Sequence, residues 1–553
     1  MNFGPRIMML LTAAAVSVAG CGGGAEAATE VERSPAQRIR AVLGQAEDSG
    51  AVLPLTAGDT VTVLPATAEF YRRLRFRPAW IPEDDELDRA RVLHAAIGRA
   101  VEDGLDPKRY GHDVAAQLIG MLTSEDSGLD EPARAGYLAD LDMILSEGFM
   151  RYATDIVLGA IAPDSVGRAW RIPRGAAPGY TVLRSAFRGG DPAEIIRRLR
   201  PRTPYYGRMM AALARLQQVQ EAGGWAPLPE DASVEEGDSS AIVVALRERL
   251  SRSDDPREAQ LARSGASRAA VYDRDLRDAL RHFQERHAID DDGRLGANTL
   301  RELNHPVDER IAEVKLNLDR WRWLPQDLGR LFILVNIAGF ELEVVENDRA
   351  IESMNVVVGK DGWNTPVFAD TMEHLVLNPY WTPPPSILEE EILPAMARDP
   401  GYLARNNFER ARDGTIRQRP GRRNALGQYK FLFPNEDNIY LHDTPADHLF
   451  SRARRDFSHG CIRLERPADL ARLVVTKATA HTPTAMEAML GTGSEKWIAL
   501  KRPIPVYIVY FTTWVREDGT LRFHHDVYGH NEDLEAETDE LNEEGATQRA
   551  TAR

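Results

Sequence analysis

The sequence predicts a multidomain α+β chain: a helical N-terminal half, a small three-helix module, and a mostly-β C-terminal domain interrupted by a helical cap. Three observations predict it. Apolar residues recur every three or four positions from about 35 to 230, a second helical pattern turns at "DDDG" near 290, and from about 330 the period drops to two as β-branched residues accumulate.

The 553 residues allow roughly three or four domains at about 150 residues each. The 68 basic and 84 acidic residues leave a net charge of −16, which argues against a nucleic-acid partner held through its phosphates.

At the N-terminus, Arg6 precedes the short apolar run "IMMLLTAAAVSV", the pattern of an export signal. The following "VAGC" resembles a bacterial lipobox, which implies residues 1–21 as a lipoprotein signal and a lipid on Cys21; the alternative is ordinary cleavage near "AEAA". Residues 22–34, rich in Gly, Ala and Glu, read as a flexible tether. With Cys21 lipidated, Cys461 is the single free thiol of an exported chain, with no internal partner for a disulfide.

Residues 35–230 read as helical: in "RARVLHAAIGRAVEDGL", Val92, Leu93, Ala96, Ile97, Ala100 and Val101 fall at helical spacing, and "LADLDMILSEGFMRYATDIVLGAI" repeats the pattern. "WAPLPEDASVEEGDSS" (225–240) reads as a linker. From 241 to 304, "AIVVALRERL" gives one helix and two more flank the turn Asp290–Gly293; Leu276, Ala279, Leu280 and Phe283 share a face. The triple Asp lacks the ligand spacing of an EF-hand.

From 330 to 530 paired strands follow: "RLFILVNIAGFELEVVEN", "AIESMNVVVGK", "MEHLVLN", "YKFLFPN", "NIYLHDT", and a hairpin turning at Glu517–Gly519. Residues 387–412 read as a helical insertion, a lid over the sheet. The acidic tail 531–553 reads as disordered.

A thiol attacks as thiolate, and a nearby histidine is the usual means of making one. "FSHGCIRL" offers His459 two residues before Cys461, and the strand "NIYLH" ends in His442. A histidine at a neighbouring strand end meets a sulfur more readily than one two residues away in a tight turn, which favours His442. The Asp443 carbonyl would orient its ring, and N–H groups around Gly460 and Cys461 would face an oxyanion. From spacing alone, catalysis and a buried structural cysteine are evenly balanced, and a zinc site lacks a fourth ligand.

Resemblance tips that balance. Asp273, Leu276, Ala279, Phe283, Gln284, Asp292, Gly293, Leu295, Gly296, Thr299, Leu300, Leu303 and Asn304 carry a pattern similar to a small peptidoglycan-binding module of bacterial cell-wall enzymes. His442, Ser458, His459, Gly460, Cys461 and Arg463 resemble the signature of L,D-transpeptidases with a YkuD-type catalytic domain. "NPYWTPPPSI", "LPAMARDPGYLARNNFE", "RPGRRNALGQYKF" and "IPVYIVYFTTW" are similar to the long Gram-negative YcbB-like members, which carry a helical scaffold domain before the binding module. The resemblance implies a nucleophile at Cys461 and a base at His442, with His459 and Arg463 lining the site. Arg463 would pair with a stem-peptide carboxylate, and Ser458, Trp381, Tyr380, Arg422, Arg423 and Asn424 are further candidate contacts. Many relatives have Gly or Ser where this chain has Asp443, a difference that a carbonyl role tolerates.

The implied reaction joins peptidoglycan stem peptides by 3-3 crosslinks through a cysteine thioester, with no metal and no organic cofactor. Partners would be peptidoglycan peptides and glycan, a membrane through Cys21 (inner or outer left open), and other cell-wall synthases or hydrolases. The alternatives are an L,D-carboxypeptidase, with water as acceptor, and a binding lipoprotein without catalysis; a papain-like peptidase would reverse the His-before-Cys order.

Overall fold

The computed structural model describes residues 34–44, 52–56, 60–82, 87–124, 126–163, 170–264, 270–532 and 534. The export segment, Cys21, nearly all of the tether and the tail beyond Leu534 lie outside the described residues.

The helical half is organised around Glu131–Leu158, a helix of 28 residues whose start is capped by the Asp130 carboxylate accepting the Ala133 N–H at 2.9 Å. Helices Pro35–Leu43, Asp88–Gly98 and His112–Thr123 pack on it and share one core with Leu145, Phe149 and Met150. Of the expected apolar face, Leu93, Ala96, Ile97 and Ala100 are buried, whereas Val92 and Val101 are 54% and 43% exposed. The helix also buries Asp142, which accepts the N–H groups of Ala79 (2.9 Å) and Trp80 (2.7 Å) and the Tyr71 phenol (2.5 Å), tying down an irregular segment.

The small module has four helices, Ala241–Ser251, Pro256–Ser264, Arg274–Arg286 and Ala297–Asn304, rather than the expected three. The presumed linker is part of it. Leu228, Ala232 and Val234 sit in the same core as Leu276, Leu280 and Phe283, so three apolar residues dock a segment whose Pro/Asp/Glu content suggested a spacer. A helix absent from the sequence reading, Val307–Arg322, then leads into the sheet; it packs on Pro204–Glu221 and buries Trp321.

The C-terminal sheet has ten strands: β1 (Trp170–Arg171), β2 (Leu331–Asn336), β3 (Glu341–Glu346), β4 (Arg349–Gly359), β5 (Val367–Leu377), β6 (Tyr429–Leu432), β7 (Leu441–His442), β8 (Asp456–Ser458), β9 (Ile462–Leu464) and β10 (Lys496–Val509). Pairing runs β6–β7–β9–β4–β3–β2–β10–β5 and returns from β5 to β6, so eight strands close on themselves; β1 pairs with β5, and β8 with β4. Thus the helical half lends its strand β1 to the sheet. Phe431, Leu441, Ile462, Leu375 and Ile498 point into the apolar core, which helix Pro467–Ala478 covers with Leu470, Ala471, Val474 and Val475.

The insertion is only partly helical. Short turns from Pro385 to Arg405 precede a hairpin, Phe408–Arg410 with Ile416–Gln418, where helix was expected through 412. Phe408 and Ile416 alternate with charged residues and face a small core of their own with Ile392. The start of the expected tail is built into the fold: Asn531 accepts from Arg320 at 2.8 Å, and Leu534 is buried against Ile161, Leu316 and Trp323.

Candidate active site

Strand register builds the site. Lys430 of β6 is paired with His442 of β7, and His442 with Arg463 of β9, so the three side chains form one row across adjacent strands, on the face opposite the buried Phe431, Leu441 and Ile462. Because Leu441 pairs with Ile462, the residues before them, Tyr440 and Cys461, also meet. Tyr440 contacts the sulfur through both its phenol and its backbone N–H, and its ring lies 5.6 Å from that of His442. The imidazole therefore stands one diagonal step from the thiol.

The turn ahead of Cys461 is internally braced. Gly460 has φ +105°, in the region that disfavours side chains, and a Cβ there would lie 3.2 Å from Ile439 Cδ1. The Ser458 hydroxyl donates to Cys461 O at 2.6 Å and accepts the Gly460 N–H at 3.1 Å. Thr365 Oγ1 donates to Gly460 O at 2.7 Å and accepts the Gly359 N–H at 2.9 Å. Two expectations change. Ser458 is buried and builds the turn rather than facing a substrate, and the Gly460 N–H is already bonded to its hydroxyl, so of the two N–H groups expected to face an oxyanion one is occupied.

His442 Nδ1 donates to the Asp443 carbonyl at 2.5 Å, which fixes the tautomer and leaves the Nε2 lone pair free to take a proton. The Asp443 carboxylate faces the other way, accepting from Gln428 N (2.7 Å) and Thr444 N (2.7 Å). Burial, then Arg463, lowers the His442 pKa to about 3, partly opposed by the hydrogen bond to the Asp443 carbonyl, with Lys430 adding a smaller lowering. Burial pushes the Cys461 thiol up, opposed by Tyr440, Lys430 and Arg463. At neutral pH both partners are uncharged.

The other candidates divide. His459 is half-buried, edge-on to Trp363 at 5.0 Å, and its Nε2 lies 3.5 Å from Glu391 Oε1 of the insertion, so it joins the cap to the cysteine turn. Trp381 bridges to Gln418 and lies tilted against Phe408 at 6.0 Å, packed on the insertion's own core. Tyr380 lies under Arg417, 3.9 Å from its ring centre. Asn424 is buried and spent on backbone: it donates to Pro379 O and Arg419 O, both at 3.0 Å, and accepts from Leu426 N, which removes it as a substrate contact. Arg422 is exposed on that loop.

The sequence reading missed Tyr440 and Lys430. Period two in "NIYLH" places Tyr440 on the face of His442, a usable signal; Lys430, between Tyr429 and Phe431, reads as a solvent-facing strand position until its partner strands are known. Among the described residues, one trio has the spacing of metal ligands, Asp255, Glu258 and His282, all in the small module. Its acids are occupied: Glu258 pairs with Arg286 at 2.6 Å, and Asp255 caps a helix by accepting from the N–H groups of Arg257 and Glu258.

Residues 330–492 match the L,D-transpeptidase catalytic domain family (YkuD), residues 65–213 a scaffold domain family, and residues 239–303 a putative peptidoglycan binding domain family. A putative L,D-transpeptidase of Haemophilus influenzae is 30% identical over 248 residues, 41% of this chain and 49% of the relative. The match thus spans about half the length of that curated relative. Similar solved structures include an L,D-transpeptidase from Mycobacterium smegmatis (14% identity, TM-score 0.17, covering 32% of this chain and 58% of that one) and one from Xylanimonas cellulosilytica (14%, 0.16, 51% and 99%). The chain thus carries, in order, regions that match a scaffold domain, a peptidoglycan-binding domain and an L,D-transpeptidase catalytic domain.

Proposed function

We propose that the protein is a peptidoglycan L,D-transpeptidase that forms 3-3 crosslinks through a thioester on Cys461. The observation that carries this reading is the His442 imidazole: its Nδ1–H is held by the Asp443 carbonyl, and the strand register sets it on the same face as Cys461, one strand away. As Cys461 Sγ bonds to the carbonyl carbon of the third residue of a donor tetrapeptide stem, a diaminopimelate, its proton passes to His442 Nε2. The tetrahedral oxyanion is held by the Cys461 N–H. The C–N bond to the terminal D-Ala breaks, its nitrogen takes the proton from His442, and a thioester remains. The side-chain amine of a second stem then gives its proton to His442 and forms the new C–N bond, and the C–S bond breaks with return of the proton to sulfur. The insertion, joined to the site through Glu391 and His459, covers the donor. Export, with a lipid on Cys21 as membrane anchor, would place the enzyme at the cell wall; no helix among the described residues is long and apolar enough to cross a membrane.

The test is mass spectrometry of disaccharide-tetrapeptide incubated with the soluble mature protein, beside Cys461→Ala. Dimers lighter than two monomers by one free D-Ala, absent in the variant, are the expected result. Tripeptide alone would make the enzyme a carboxypeptidase, and unchanged substrate in both samples would overturn the catalytic reading.

A further inference from the structure

On either side of His442 the row holds a cation with no anionic partner. Among the described residues neither Lys430 nor Arg463 has an ion pair within 4 Å, in a chain whose arginines are otherwise extensively paired with carboxylates. Lys430 is half-buried, its ammonium 3.9 Å above the Tyr440 ring that touches the sulfur. The carboxylate that acts on it from further off, Glu495, is bonded to the Tyr380 N–H at 2.9 Å. Withdrawing an ammonium from water without a counter-ion costs free energy that folding alone does not return. An anion supplied by the ligand would return it.

The order of the row says which anion. Arg463 lies on β9 with Cys461 just ahead of it, His442 on β7 with Tyr440 just ahead of it, and Lys430 on β6, so moving across the strands from the sulfur past the imidazole leads to Lys430. His442 must protonate the departing nitrogen, so the departing residue lies on the imidazole side of the sulfur. In a stem that ends one residue beyond the scissile carbonyl, the carboxylate is one Cα away from that nitrogen. It therefore falls beyond His442, toward Lys430, while Arg463 stays with the acyl portion.

Resting on the function proposed above, we infer that Lys430 is a specificity residue that binds the free C-terminal carboxylate of the donor stem's departing residue. A stem extended by one more residue presents a neutral amide at that place and loses the charge-assisted bond.

The experiment compares two donors, the disaccharide-tetrapeptide with a free C-terminal carboxylate and the same compound with a C-terminal carboxamide, on the full mature protein, Lys430→Gln and Lys430→Arg. Donor consumption gives kcat/KM, and iodoacetamide, a neutral probe, gives the reactivity of Cys461. Wild type should prefer the acid by about 10- to 100-fold, the range of one charge-assisted hydrogen bond. Lys430→Gln should bring the two donors to within about 3-fold by losing the acid, Lys430→Arg should keep the preference, and any fall in Lys430→Gln alkylation, expected because Lys430 also favours the thiolate, should match the small loss on the carboxamide rather than the larger loss on the acid. Equal losses on both donors, or a fall in alkylation that parallels the loss on the acid, would overturn the inference and leave the proposed function standing. Failure of wild type to consume either donor would remove the function and this inference together.

Discussion

The uncharged Cys461–His442 pair has a direct kinetic consequence. Burial holds the thiol above its ordinary value of ~8.5, and His442 stays neutral down to about pH 3. The resting sulfur is then less than about 3% thiolate at pH 7, and alkylation by iodoacetamide should climb about tenfold per pH unit from 6 to 8 with no plateau. A preformed thiolate–imidazolium pair would instead level off below pH 7. His442→Ala separates the cases further: with no imidazolium to lose, the variant should alkylate within about threefold of wild type at every pH, while stem-peptide transfer falls by about 10²- to 10⁴-fold for want of the proton acceptor. The assay is second-order inactivation by iodoacetamide, followed by intact mass, on wild type and variant from pH 5 to 9. A plateau below pH 7 that disappears in His442→Ala would refute the neutral-pair argument. The neutral state also guards the sulfur, since oxidation of cysteine proceeds through the thiolate.

Two further outcomes follow from the supports around the site. Gly427→Ala places a Cβ at φ +57° and 2.2 Å from the Asp443 carboxylate, so it should cost about 1–3 kcal/mol in a urea titration and lower kcat more than it raises KM by shifting the carbonyl that holds His442; adding Asp443→Ala, which removes the two nearest atoms and leaves only the Asp443 Cβ at 2.6 Å, should recover part of both. Arg286→Met leaves Asp254 and Glu258 buried without their cation and removes the bond from Arg286 Nη1 to Leu521 O (2.9 Å) that joins the small module to the sheet domain. It should destabilise by about 3–5 kcal/mol by the same titration, and a shift below ~0.5 kcal/mol would show that this cluster holds nothing together.

Much of the fold was legible because local pattern and tertiary role agree. The core strands "LFILVN" and "ELEVVE" and the capped helix of the small module read directly from their periods. What was not legible depends on distant partners. "WAPLPEDASVEEGDSS" has the composition of a linker, yet three apolar residues suffice to dock it once the module offers a surface. β1 is two residues long and becomes a strand only because β5 lies beside it. The helix Val307–Arg322 is rich in charge because it joins domains: Arg322 pairs with Asp319 at 2.5 Å and meets Tyr206 at 2.9 Å, interior roles for residues that read as surface.

The site follows the same logic. Cys461 and His442 stand out in the sequence by chemistry and resemblance, whereas Ser458 and Asn424, polar residues in polar loops, look identical in sequence whether they face a ligand or their own backbone. Only the register of β6, β7 and β9 turns Lys430, His442 and Arg463 from three scattered residues into one row. That row sets a condition on the chemistry. Two cations flank the imidazole and oppose its protonation, so a thiolate–imidazolium pair gains little by forming in the empty site. Proton transfer has to accompany formation of the Sγ–carbon bond, when a carbonyl is in place and the new charge moves to an oxyanion. An anionic donor that neutralises the flanking cations makes the imidazole a stronger base at that same moment. Discrimination between stems would then appear in the acylation rate as well as in binding, because the groups that recognise the donor also govern the base.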